Sequence, residues 1–278
     1  MPKKQVFYNI ICQNQTNDVY FAFQKGIYIR LMKIPRKITP DNIKDSVVQI
    51  VFNPACPPEL VIGRFENHLQ NLLEFKGGTP PAKQVFRLPD GNELNFGQFQ
   101  AGVFQGGFFL DKKESVKVTV SSNTLVFNTF KSYPGWDVIL SVIKETVRTM
   151  FEKGITDSIQ RIGVRYISQF DDIAIFEKLK MSFGLNISNK SFSTTQIRSE
   201  FDEDGFKIIL NLLNNFERVE NDTQRKFSTI DIDVIKFYES LSNVDEVIDS
   251  VDKAHFKQKS TFFSLLSDEF LKTLNPEY

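Results

Sequence analysis

The sequence predicts an α+β fold of antiparallel sheets, each packed on a long helix, arranged as two helix-grip-like modules. Three observations predict it. The stretch from Ser132 to Phe170 reads as a long amphipathic helix turning directly into a strand. The residues before it and the residues after 176 each read as strands in hairpin order. The second half closes, as the first does, on a long helix or helix pair from Val244 to Leu274. The expected organisation is extra N-terminal strands over 1–36, a strand-helix-meander-helix module over 44–175, and a meander with a long helix over 176–278.

Each element has a local reason. Strands are expected at 5–11 and 19–31, then at Val47–Phe52, where Asn53-Pro54 and Pro57-Pro58 end the run because proline cannot donate to a ladder. A helix is expected from Glu59 to Phe75, burying Leu60, Val61, Phe65, Leu69, Leu72 and Leu73. Residues 82–107 are irregular and rich in Gly, Phe and Gln. Strands at Phe108–Leu110, Val116–Val120 and Leu125–Phe130 form a meander. In the central helix, Trp136, Ile139, Leu140, Ile143, Val147, Met150 and Phe151 recur at spacings of three and four, and Gly154 stops it. Along the next strand Ile162, Val164 and Tyr166 point one way, and Arg161, Gly163 and Arg165 the other. Phe192–Phe201 and Phe206–Leu213 are joined at Asp204-Gly205, a good hairpin dipeptide. A polar loop from Glu217 to Lys226 and a strand at Phe227–Phe237 complete the set.

Composition narrows the function. The chain has 278 residues, and its 34 basic and 34 acidic residues cancel, which argues against a broad nucleic-acid footprint and leaves only a local basic patch. Two cysteines, Cys12 and Cys56, cannot build a disulfide framework and read as reduced thiols of a cytoplasmic protein. The first residues are too short in apolar run for a signal peptide or anchor, and no membrane is expected as partner. The 28 Phe residues fit an AT-rich genome better than an aromatic binding surface.

The chemistry-bearing residues are few. His68 and His255 lie in predicted helices, far apart in sequence, and a His-carboxylate metal site would need both to converge. No GxSxG elbow, no GxxxxGK[ST] and no GxGxxG between strand and helix occurs, so nucleophilic hydrolases, NTPases and dinucleotide enzymes are disfavoured and no cofactor is expected. Cys56 precedes a helix start, and a small buried thiol is the simpler reading. Asp231 and Asp233 share one strand face and could hold Mg²⁺ or do acid–base work, although a solvated sheet face explains them as well. Arg161 and Arg165, with Arg64 on the preceding helix, could bind a carboxylate or phosphate, or pair internally with Glu59, Glu66 or Asp137.

Three segments, VVQIVFNPACPPELVIGRFENHLQ, NTLVFNTFKSYPGWDVILSVIKETV and QRIGVRYISQF, are together similar to a sporadically distributed, uncharacterised family of bacterial accessory proteins. The closing part of that pattern falls on His255, Phe256, Phe263, Leu265, Leu266, Ser267, Asp268 and Glu269. The resemblance covers about residues 44–278, and Trp136 with the Arg161–Tyr166 run is its most specific part. The strands at 5–31 and the Phe/Gln/Gly-rich stretch 82–107 depart from it. It implies a patchily inherited gene of the toxin–antitoxin, immunity or phage-defence kind, and it carries no catalytic residues.

The expected function is therefore a non-enzymatic accessory that binds a protein partner or itself, with Arg64, Arg161, Arg165, Trp136 and Tyr166 as candidate contact residues. The alternatives are a small-molecule or lipid-like carrier, its cavity between sheet and helix, and a metal-dependent hydrolase or nuclease using Asp231 and Asp233.

Overall fold

Burial alternates regularly along β1 (Ile43–Pro54), where Ser46, Val48, Ile50 and Phe52 are buried and the residues between them half-buried. A strand patterned in this way needs neighbours on both edges and a cover on one face. The computed structural model supplies them. It describes residues 34–57, 60, 61, 63–65, 116–129, 132–181, 194–220 and 223–278, with the backbone of short strands at 73–78, 85–87, 93–95 and 106–110. The expected strands at 5–11 and 19–31, His68 and most of 82–107 lie outside the described residues.

β1 pairs antiparallel with β7 (Thr124–Thr129) on one edge and with β8 (Thr156–Asp171) on the other. Beyond β7 lie β6 (Val116–Val120), β5 (Gly106–Leu110) and β2 (Leu73–Gly78); beyond β8 lie β11 (Thr223–Leu241), β10 (Phe206–Glu220) and β9 (Thr195–Glu203). Among the described residues the result is one nine-stranded antiparallel sheet, ordered β2-β5-β6-β7-β1-β8-β11-β10-β9. A separate two-stranded ribbon joins β3 (Val85–Arg87) to β4 (Glu93–Asn95).

This corrects the expected pair of sheets, each gripping its own helix. β8 from the first half pairs with β11 from the second along nearly its whole length, Phe227 opposite Asp171 through Phe237 opposite Arg161. The sequence repeats an order of strands then helix, but nothing local shows that strands on either side of residue 176 share a ladder.

The helices α1 (Trp136–Glu152), α2 (Val244–Leu265) and the short α3 (Asp268–Thr273) follow from their stripes and caps. In α1 the buried residues are Ile139, Val142, Ile143, Thr146, Val147, Thr149 and Met150, while Leu140 and Phe151 are only half-buried. Gly154, at φ +60°, ends the helix as expected, and the Ile155 N–H donates to the Met150 carbonyl at 2.8 Å. Asn243 caps α2 by accepting from the Asp245 and Glu246 amides. The α1 start and the middle of α2 meet over the Tyr166 side of β8, so both helices cover the same sheet face. Under them runs a row of buried side chains, one per strand: Val118, Phe127, Val48, Val164, Val234 and Ile208. Burying each such side chain stabilises by about 1.5–3 kcal/mol.

Two further expectations change. The helix expected to Phe75 ends sooner, because helical residues are described only at 60, 61 and 63–65 and Leu73 already pairs in β2. The expected polar loop from Glu217 to Lys226 is instead a continuation of the β10–β11 hairpin, with Glu217 opposite Lys226 and Glu220 opposite Thr223. Its residues are polar because this end of the hairpin is largely exposed, not because it lacks a ladder.

Candidate functional site

The period of two in β8 sends Tyr166 toward the helices and Arg161, Gly163 and Arg165 to the opposite face, where the two arginines are half-buried and Gly163 is buried. Register then brings the arginines to their partners. Asp233 lies directly opposite Arg165, and Asp231 two residues further on the same face. Arg165 grips Asp231 with both prongs of its fork, Nε to Oδ1 and Nη2 to Oδ2, each at 2.8 Å. Bidentate geometry of this kind is among the stronger side-chain hydrogen-bonding arrangements.

The same oxygen continues the chain outward. Asn211 donates from Nδ2 to Asp231 Oδ2 at 3.2 Å, Arg198 donates from Nη1 to Asn211 Oδ1 at 3.2 Å, and Arg198 Nη2 reaches Glu200 Oε1 at 2.5 Å. A polar relay thus runs across four strands, from β8 at the centre of the sheet to β9 at its edge. On the other side of Arg165, Asp45 of β1 adds a third carboxylate to the field of the guanidinium.

Burial sets the charge balance. Burial pushes Asp233 up to about 6, against the lowering pull of Arg161 and Arg165. Asp45 is pushed up to about 6 by burial as well, the Ser46 amide and Arg165 opposing. Burial also disfavours the Arg165 charge, but the hydrogen bond and charge of Asp231, with Asp233 and Asp45, outweigh it and raise its pKa. Arg161 is lowered by burial, with Asp233 opposing. It donates to Gln49 Oε1 and lies 6.0 Å from the centroid of Phe237, a ring that is 64% exposed.

Gly163 has a specific reason. A Cβ there would stand 3.2–3.4 Å from the Arg161 guanidinium, so the close approach that a strand glycine permits is used by the chain's own arginine.

The helix-covered face holds the other candidates. Trp136 and His255 stack at 3.8 Å with 7° between their planes, and the indole Nε1 donates to Asp252 Oδ1 at 2.7 Å. Tyr166 lies 5.7 Å from His255 between ring centroids and shares a hydroxyl hydrogen bond of 3.1 Å with Tyr133. Burial pushes Tyr133 up to about 12 and Tyr166 well above its ordinary value. Burial, helped by Lys259, pulls His255 down to about 3, so the ring is neutral at physiological pH. These are four neutral rings in mutual contact, a packing unit that joins α1, α2 and β8.

The sequence-picked residues therefore divide. Arg161, Arg165, Asp231 and Asp233 come together on the open face, while Trp136 and Tyr166 lie across the sheet from them. Arg64 joins neither group. It donates to the Lys153 and Gly154 carbonyls at 2.9 and 2.8 Å and so ties off the C-terminus of α1. Among the described residues the partners of the two strand arginines include Asp231 and Gln49, while Glu59 and Glu66 lie outside the described residues. His255 lies in a helix as expected and is half-buried against Trp136. Cys56 is buried. Asn211, Arg198 and Asp45 were missed. Their only signal was register, which needs the strand order.

The metal reading of Asp231 and Asp233 meets an obstacle in this geometry, since both Asp231 oxygens are already held by Arg165. Among the described residues no group of three His, Cys, Asp or Glu side chains could hold a metal ion. No described helix is long and apolar enough to cross a membrane. No family model, no curated protein and no solved structure matches the chain.

Proposed function

We propose that the chain is a non-enzymatic accessory that binds a partner protein through the open face of β8 and β11. The observation that carries this reading is the pairing of an exposed aromatic, Phe237, with a charge network whose members are held by one another. Interface hot spots favour aromatic and arginine side chains that are already positioned, because less ordering is left to occur on binding. A hydrolytic site needs ionisable groups converging on a place a substrate can occupy; here Arg165, Asn211 and Asp231 converge on each other. The motif resemblance supports an antitoxin, immunity or phage-defence role, and the partner is then encoded beside this gene.

The test is site-specific cross-linking in cells that co-express the adjacent gene product. A photoreactive phenylalanine analogue replaces Phe237 on the open face or Phe256, 44% exposed, on α2. A covalent adduct to the neighbour from position 237, absent from position 256 and lost in an Arg165→Ala background, supports the reading. Adducts of equal yield from both positions, or none from 237, overturn it.

A further inference from the structure

The outermost strand β9 carries a second recognition feature. Among the described strands it ends the sheet beyond β10, and residues 198–203 are all exposed. An exposed strand edge offers a row of backbone donors and acceptors to another strand. The sequence of β9, TQIRSEFDE, is complementary to itself about Ser199. Turned antiparallel against a second copy about that residue, Arg198 stands opposite Glu200, and Ile197 opposite Phe201.

We propose that β9 pairs with β9 of a second copy of this chain, extending the sheet through a two-fold axis perpendicular to it at Ser199. The faces agree. Arg198 and Glu200 both lie on the open face, in register with Asn211 and Ile209. Ile197 and Phe201 both lie on the helix face, in register with the buried Leu212 and Ile208. Glu200 holds Arg198 of its own strand at 2.5 Å, so the copy's pair completes a ring of four alternating charges. Phe201, 40% exposed, gains an apolar neighbour in the copy's Ile197. Centring on Arg198 or Glu200 sets like charges face to face, and centring on Phe201 sets Glu200 against Asp202. Of these registers the Ser199 one alone sets Arg198 against Glu200 and Ile197 against Phe201. The pairing involves neither Arg165 nor Phe237 and so is separate from the proposed function, although Arg198 also reaches Asp231 through Asn211.

The test is molar mass by light scattering across a concentration series of the full chain, with thermal unfolding recorded for each variant. The wild type should approach twice 32.1 kDa as concentration rises. Arg198→Glu, which turns the ring all-negative, should weaken dimerisation by about tenfold or more. Glu200→Arg alone should do the same. The double charge swap R198E/E200R restores alternation and should restore the dimer. A wild type that stays at 32.1 kDa throughout overturns the proposal. So does a dimer insensitive to Arg198→Glu, or a double swap that melts like wild type yet stays monomeric.

Discussion

Asp233 and His255 sit on opposite faces of the sheet and answer pH in opposite senses. The Asp233 carboxyl, pushed up to about 6 by burial, binds its proton more tightly folded than unfolded. The stability it lends is complete at low pH and is lost as pH rises through about 6. Asp233→Asn should therefore raise the melting temperature at pH 8 by about 2 °C, and the gain should vanish near pH 4. Equal shifts at both pH values would refute the assignment. His255 runs the other way. Its folded value near 3 lies below the unfolded 6.5, so stability is present above about 6.5 and is lost as pH falls. His255→Phe keeps a ring on Trp136 and removes the proton. The variant's melting curve should be flatter than the wild type's between about pH 6.5 and pH 4.

Among the elements, α1 and α2 end by different means. Asn243 caps α2 with its side chain, whereas the N-terminus of α1, at Gly135, has no side-chain cap. Asn243→Ala should cost about 1 kcal/mol in urea unfolding, and Asn243→Asp should recover it. Arg64 holds the two carbonyls that follow the last turn of α1, so Arg64→Ala should cost about 1–2 kcal/mol by the same measurement. Elements with a local cause could be read from the sequence: the apolar strand Val47–Phe52 ended by its prolines, the stripe through Ile139, Ile143, Val147 and Met150, the stop at Gly154, the turn at Asp204-Gly205. What could not be read was anything set by pairing between distant strands. The sequence shows Arg165 and Asp231 as separate features, each with plausible partners nearby. Only the β8–β11 register makes them one network, and the same register merges two expected sheets into one. The helix expected to run on to Phe75 failed at Leu73 for a related reason. Short apolar runs such as Leu72-Leu73 suit helix and strand equally, and tertiary pairing decides.

For the whole molecule, the sheet is the structural unit and the helices cover one side of it. Cutting into the row from Val118 to Ile208 should loosen both halves together. Val164→Ala removes side-chain volume at the middle of that row and should cost about 2–3 kcal/mol, with one unfolding transition seen by both tryptophan fluorescence and far-UV dichroism. Two separated transitions would mean that the halves unfold apart.

The place of β1 has a consequence for synthesis. It precedes the other described strands of the sheet, yet it is flanked by β7 and β8. At ribosomal speed its second neighbour emerges only after roughly 100 more residues, a delay of about 5–20 s. For most of that interval β1 has neither neighbour, since β7 follows it by about 70 residues, and Val48, Ile50 and Phe52 stay uncovered, a waiting period in which a ribosome-associated chaperone has something to hold.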